Sequence, residues 1–364
     1  MAQKKHINLF SPSIDEKEIR ASTNVLKSKF WSSGAGIRKV SEFENKFKKF
    51  LNTHECVAVD SGTSALHLAL NVLDIKNHEV LVPSLTFVST VHSIVHNGGT
   101  PIFVDIDPLT LNMDVDDLRD KITSKTKVIL PVHLGGLPCD LNEINKIAKK
   151  SNLYVVDDAA HACGADYNGK KIGSICDLTC FSFHPVKNLA MPKGGAITIN
   201  LKKHSKLKNI LNSLRWCGIE NRNGPFYDVD HLGFNFYMDD ISASIGLEQL
   251  KKLNIMNKKR QIIAKKYHEE INLENKMPFD KRSSYHLYWI RVKNRNKFIK
   301  EMDRNGIEVG IHYKPVHLLK QYKNKVFLKN TESVWKEIVS LPIHPELTIS
   351  QVNYIIKKVN NFVE

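Results

Sequence analysis

Short apolar runs and amphipathic stretches alternate through the first half of the chain. EVLVP (79–83), TPIFVDI (100–106), KVILPVHL (127–134) and LYVVDDAA (153–160) are β-rich and almost continuously apolar. Such runs predict strands buried on both faces. Between them, stretches 63–73, 86–97, 114–122 and 140–150 have the amphipathic pattern of helices. Buried strands alternating with helices predict an α/β fold with a largely parallel sheet. LTCFSFH (178–184) and GAITIN (195–200) read as two further strands. From 238 to about 270 the pattern is helical without a break. It leads into a smaller C-terminal α/β unit, with SYHLYWIRV (284–292) as a strand. The expected division is a large domain over 1–245 with an N-terminal arm, and a small domain over 246–364.

In such sheets ligands sit beyond the carboxyl ends of the strands, so residues just after an apolar run carry the most weight. DSGTSALHLAL (60–70) places a Ser-Gly-Thr turn at the start of a helical run. Its free N–H groups suit a phosphate, and Gly62 permits close approach; an ordinary N-cap is the other reading. VVDDAAHACGA (155–165) ends a strand on two carboxylates, fit either to face a ligand cation or to cap and pair locally. Phe87, in PSLTFVSTVHS, is either core or a plate for a planar ring. FSFHPVKNLAMPKGGAITIN puts Lys187 and Lys193 in one loop between two strands. Each is a candidate covalent catalyst or a solvated charge.

Two glycine patterns lead elsewhere. GADYNGKK (164–171) has the spacing of a phosphate loop but ends in Lys171 where a Ser or Thr is needed. Asn168-Gly169 between β-like pieces predicts a hairpin turn instead. GAGIRK (34–39) lacks a preceding strand and a third glycine, so it is not a dinucleotide fingerprint.

Composition narrows the partners. Among 364 residues, 53 Lys and Arg oppose 38 Asp and Glu, a net charge of +15. The lysines are spread along the chain among asparagines, with no aromatic-interleaved basic motif, so no nucleic-acid partner is expected. No apolar run reaches the roughly 18 residues of a membrane span. The opening MAQKKHINLF lacks the apolar segment of a secretory signal, and a cytoplasmic location is expected. Six scattered cysteines form no metal-ligand spacing and read as free buried thiols. No metal is expected.

Taken together, a phosphate-binding helix start, a strand-end aspartate, an aromatic plate and a loop lysine suit pyridoxal 5′-phosphate (PLP). That cofactor needs an amine for its aldehyde, a carboxylate for its pyridine nitrogen and a cup for its phosphate.

At this point the chain resembles the DegT-type sugar-nucleotide aminotransferases, which are fold-type-I PLP enzymes. FWSSGAGIRKVSEFE (30–44), SGTSALHLAL, VPSLTFVSTVHSI, GGTPIFVDID, PVHLGGLPCD, VVDDAAHACGA and FSFHPVKN follow in family order. LGFNFYMDDISASIGLEQL (232–250) and IHYKPVH (311–317) complete the series. The resemblance implies a large domain built on a mostly parallel mixed sheet. It implies Lys187 as the cofactor-bearing lysine, Ser182, Gly62 and Thr63 as phosphate ligands, and Phe87 against the ring. Asp158 then meets the pyridine nitrogen, and His161 lies near the phenolic oxygen. Asn235 matches an asparagine lent to a neighbouring subunit, which implies a homodimer with shared active sites. His184, Lys193, Tyr313 and His317 are candidate substrate contacts.

The implied reaction moves an amino group from an amino acid, L-glutamate, to a keto carbon of a nucleotide-linked sugar for surface glycan synthesis. SFHPVKN resembles members that aminate C4; C3 amination, or a PLP-binding regulatory homologue without turnover, are the alternatives. Two positions depart from the family pattern. Lys193 stands where an acidic residue is usual, and Cys217, in RWCGIE, where many members have His.

Overall fold

A computed structural model describes residues 6–323 and 326–363. The chain opens with helices α1 (Glu16–Ser28) and α2 (Lys39–Leu51). Strand β1 (Glu55–Val59) then starts an alternation: α3 (Gly62–Asn71), β2 (Glu79–Pro83), α4 (Val88–His96), β3 (Thr100–Val104), α5 (Val115–Asp120), β4 (Thr126–Ile129), α6 (Leu141–Ser151) and β5 (Tyr154–Asp158). A small hairpin, β6 (Asp166–Tyr167) and β7 (Lys170–Lys171), precedes β8 (Leu178–Ser182) and β9 (Gly195–Ile199).

The main sheet has seven strands in the order β1-β9-β8-β5-β4-β2-β3. Only β9 runs against the others; it is antiparallel to both β1 and β8. The pairs β8/β5, β5/β4, β4/β2 and β2/β3 are parallel. This is the mostly parallel mixed sheet expected. Apart from the edge strand β3, the strands are buried nearly end to end because helices cover both faces, which is why they read as unbroken apolar runs. Phe43 and Phe47 of α2 pack edge-to-face against Phe181 and Phe183, anchoring the end of β8.

The Asn168-Gly169 turn forms as the sequence predicts. Both residues have positive φ, +50° and +77°, and join β6 to β7. Strand β1 was not among the sequence-predicted strands. Its run ECVAV is short, starts on Glu55 and follows the polar Asn52-Thr53-His54. It completes the sheet edge by pairing with β9 from Glu55/Ile199 to Val59/Gly195.

Helix α7 (His204–Leu214) leads to an exposed hairpin, β10 (Ile219–Asn223) and β11 (Phe226–Val229). Helix α8 (Asp240–Glu270) is unbroken over 31 residues, capped by the Asp239 side chain on Ser242 N–H. Its first half packs Leu247, Leu253 and Met256 against the cluster around the sheet. Its second half packs Ile263, Ala264 and Tyr267 into a separate C-terminal cluster. There the antiparallel pair β12 (Tyr288–Arg291) and β13 (Ile338–Leu341) is covered by α9 (Arg295–Arg304), α10 (Lys329–Glu337) and α11 (Ile349–Phe362). Residue Ile7 pairs with Ile307, so the N-terminal arm lies on this C-terminal cluster.

The cysteines depart from expectation at one position. Five are buried, but Cys217 is exposed in a left-handed conformation (φ +56°) just beyond α7. Among the described residues no helix is long and apolar enough to cross a membrane.

Candidate active site

The carboxyl ends of β1, β2, β5 and β8 lie on one edge of the sheet, and the antiparallel β9 begins there. A cavity of about 350 Å³ opens at that edge. It draws Gly62 and Thr63 from the end of β1, Phe87 from the end of β2, and Asp158 and His161 from the end of β5. The β8–β9 loop adds Ser182, His184, Lys187 and Lys193, and the C-terminal part adds His286, His312 and Tyr313.

At one end, Ser61 caps α3 by accepting from Ser64 N–H at 3.1 Å. The remaining N–H groups of this first turn have no acceptor within the helix. Gly62 is required here by contact: a Cβ on it would stand 2.7 Å from Ser182 Cβ. Gly195 approaches even closer, since its Cβ would meet Ser61 O at 2.3 Å. These glycines bring the start of α3, the end of β8 and the start of β9 together as one cup.

Asp158 is buried, and Thr90 Oγ1 donates to its Oδ2 at 2.8 Å while Ala160 N–H donates to Oδ1 at 3.1 Å. Burial pushes its carboxyl up; these two bonds and the Lys187 charge pull it back. Lys187 lies on the same cavity wall, half-buried. Burial lowers its amine to about 8, opposed by the charge of Asp158. Its Nζ is 3.4 Å from His286 Nε2.

His161 accepts Gly135 N–H on Nδ1 at 3.3 Å, so its proton is assigned to Nε2, 3.1 Å from the Tyr313 hydroxyl. Burial first, then the Lys187 charge, holds His161 neutral. Tyr313 is thereby left with its hydroxyl proton to donate. Phe87 is 55% exposed, its ring tilted against that of Tyr313 with centroids 5.8 Å apart. His184 is exposed at the rim.

Two predicted residues are not brought to this cavity. His317 is buried, its Nδ1 2.6 Å from Ser84 Oγ and its Nε2 3.4 Å from Glu332. The turn after Pro315 carries it away from Tyr313, and both ring nitrogens are occupied, so it has nothing to offer a substrate. Asn235 is exposed and pairs with Trp216, outside its own chain's cavity. Lys193 stands at the rim, 64% exposed, with Nζ 2.6 Å from Asp60 Oδ2.

Sequence reasoning missed His286 and His312. Burial lowers His312 to about 4, and its Nδ1 is 2.9 Å from Ser340 Oγ. The signal for His286 was a polar ring inside the apolar run SYHLYWIRV. The one for His312 was its place beside Tyr313.

The donor set fits PLP. A helix start cradled by glycines suits a phosphate dianion. The buried carboxylate suits a protonated ring nitrogen, the exposed aromatic a planar ring, and the half-buried amine with lowered basicity an aldehyde.

The DegT/DnrJ/EryC1/StrS aminotransferase family pattern matches residues 12–360. The dTDP-3-amino-3,6-dideoxy-alpha-D-galactopyranose transaminase of Aneurinibacillus thermoaerophilus is 38% identical, covering 95% of this chain and 96% of that one. The UDP-4-amino-4,6-dideoxy-N-acetyl-beta-L-altrosamine transaminase of Campylobacter jejuni is 33% identical, covering 94% and 93%. The structure of Spr1654 from Streptococcus pneumoniae in its PMP form superposes with a TM-score of 0.93 at 32% identity, covering 98% of this chain and 97% of that one. With the same fold and order of motifs from end to end, the chain belongs to the DegT/DnrJ/EryC1/StrS aminotransferase family, whose members use PLP.

Proposed function

We propose that this aminotransferase moves the amino group of L-glutamate to the C4 keto carbon of a nucleotide-linked sugar, with Lys187 as the acid–base residue. The observation that carries the reading is the Lys187 amine, lowered to about 8 and sharing one cavity with Asp158. When bound, PLP supplies an aldehyde that carries the amino group and a ring that accepts electrons.

The chain's own residues do the rest. Gly62, Thr63 and Ser182 hold the phosphate. Asp158, whose bonds from Thr90 and Ala160 oppose the effect of burial on its carboxyl, would favour a protonated ring nitrogen. Phe87 covers a ring face. His161 turns its proton to Tyr313 and leaves the Tyr313 hydroxyl to bond within the cavity. Lys187, whose amine at about 8 leaves a fraction as free base at physiological pH, would take a proton from the donor's Cα and return it to the carbon on the other side of the transferred nitrogen. A positioned group of this kind contributes roughly 10²–10⁴-fold. His184, Lys193 and Tyr313 face the sugar nucleotide.

Asn235, exposed and away from its own cavity, fits a role in a second subunit's site, so the active form is read as a homodimer. The cytoplasm is the compartment where sugar nucleotides and L-glutamate meet such an enzyme. C4 amination rests on the SFHPVKN segment and is shared by the Campylobacter relative's name. C3 is the competing reading, favoured by the name of the 38% identical Aneurinibacillus relative.

The test is a screen of 3-keto and 4-keto sugar nucleotides with L-glutamate, reading the aminated carbon by NMR. A product carrying nitrogen at C4 supports the reading. Nitrogen at C3 replaces it, and no turnover with any keto sugar overturns it.

A further inference from the structure

His286 belongs to no sequence-predicted role, yet its ring lies within hydrogen-bond reach of the Lys187 amine. Its Nε2 lies 3.4 Å from Lys187 Nζ. Its ring is held on two sides. Phe10 of the N-terminal arm stacks on it with centroids 5.4 Å apart and planes 14° apart. His161 lies against it at 4.4 Å. His286 is buried, and its Nδ1 has no hydrogen-bond partner.

The titratable groups that act on His286 are all basic. Lys187 faces it from the β8–β9 loop, His161 from the end of β5, Arg260 from α8 and His312 from the segment after α9. Both nitrogens of His161 are taken, by Gly135 and Tyr313, so His161 cannot serve Nδ1 of His286. Asp158 is turned to Thr90 and Ala160, and no hydrogen bond joins it to His286. Burial first, then the charges of Lys187 and Arg260, keep His286 neutral.

A neutral imidazole against an amine has a particular use. If Lys187 is an ammonium it can only donate, so Nε2 accepts and the proton sits on Nδ1. If Lys187 is a free amine it can accept from Nε2–H, with Nδ1 bare. The ring therefore bonds either form and favours neither by charge. A carboxylate at the same distance would favour the ammonium and raise the amine by about 1–3 units.

We propose that His286 is a positioning residue for Lys187: clamped between Phe10 and His161, with no acidic neighbour, it fixes the direction of the Lys187 amine without adding negative charge. This rests on the reading of Lys187 as the acid–base residue. An unpartnered buried nitrogen is tolerated because the ring must serve both states of the amine. The N-terminal arm thereby acts on chemistry far from it in sequence, through the Phe10 stack.

The experiment uses the full-length chain stripped of cofactor. Trace acylation with acetic anhydride across a pH series, quantified by mass spectrometry on the Lys187 peptide, gives the amine's midpoint, about 8 in the wild type. The rate of PLP attachment is followed by absorbance. His286→Gln, which keeps a neutral bonding partner, is expected to hold both near wild type. His286→Leu should slow attachment about 10-fold or more, as expected for a misdirected reacting group. His286→Glu should raise the midpoint by about 1–3 units.

Wild-type attachment in His286→Leu, or an unmoved midpoint in His286→Glu, overturns the proposal. If the Leu variant does not fold, the Gln and Glu pair decides alone. Lys187→Ala separates the two readings. Attachment surviving in that variant overturns the Lys187 assignment and this proposal with it. Attachment lost there, with His286 variants behaving as wild type, overturns the His286 role only.

Discussion

Lys187 and Lys193 sit six residues apart in one loop, and the two ends of that loop make them different reagents. Lys187 is half-buried beside an imidazole, and burial lowers its amine to about 8. Lys193 is 64% exposed and meets the Asp60 carboxylate at 2.6 Å. Residue type and strand context are the same. What separates them is solvent and the charge of the nearest partner, and on the Lys187 side burial makes the proton easier to lose.

The largest test of this contrast compares Lys187→Ala with Lys193→Ala. Removing Lys187 should cut amino transfer by roughly 10²–10⁴-fold and abolish borohydride-trappable attachment of PLP. Removing Lys193 should leave attachment intact. Intact-mass measurement after reduction reads both. Equal losses would erase the distinction.

Asp158→Asn comes next. Its carboxylate faces Lys187 from within the cavity, as Asp60 faces Lys193 at the rim. Replacing it removes a fixed charge aimed at the cofactor ring, and kcat should fall roughly 10²–10³-fold. Because burial disfavours that charge, the cofactor-free chain should lose little stability. Turnover and thermal unfolding measured on one preparation separate the two effects. A large drop in stability would make Asp158 a structural residue instead.

How far the sequence reaches into this contrast depends on where a residue's neighbours come from. Strands β2 to β5, β8 and β9 were legible because burial on both faces leaves an unbroken apolar run. Lys187, Asp158, His161 and Phe87 were legible because they follow those runs. β1 and β13 were not. The first is short and begins on a charged residue, and the run of the second, EIVSL, merges with the end of α10. His286, His312 and Phe10 reach the cavity only through packing of the C-terminal part and the arm, which no local pattern records. His317 shares the motif of Tyr313 yet turns away, because three-residue turns after proline are set by what they pack on, here Ser84.

The third test is a linkage experiment. The folded chain depresses the Lys187 amine from 10.5 to about 8. The folded state therefore resists a proton that the unfolded state binds. That destabilisation is fully present below pH 8 and fades as pH rises from 8 to 10.5. Lys187→Met should accordingly stabilise the cofactor-free chain at pH 7 by about 1–2 kcal/mol, after allowing for water in the cavity. The gain should shrink toward pH 10. Denaturant unfolding at pH 7, 9 and 10 measures it. A gain independent of pH would assign the effect to packing alone.

The smallest effect belongs to the Lys193–Asp60 pair. Its lysine is mostly solvated, so the pair is worth about 0–1 kcal/mol and weakens in salt. Asp60 does not depend on it, since Ser64 Oγ also donates to that carboxylate. Lys193→Gln should therefore change stability by less than about 1 kcal/mol, with the difference shrinking further at high ionic strength. A lysine so weakly held is free to exchange Asp60 for a substrate anion. KM for the sugar nucleotide should then rise at most about fivefold with kcat unchanged, and the rise should vanish with salt. Steady-state kinetics at low and high ionic strength read this directly. A fall in kcat with KM unchanged would move Lys193 from the rim into the chemistry, and the division between the two lysines would have to be redrawn.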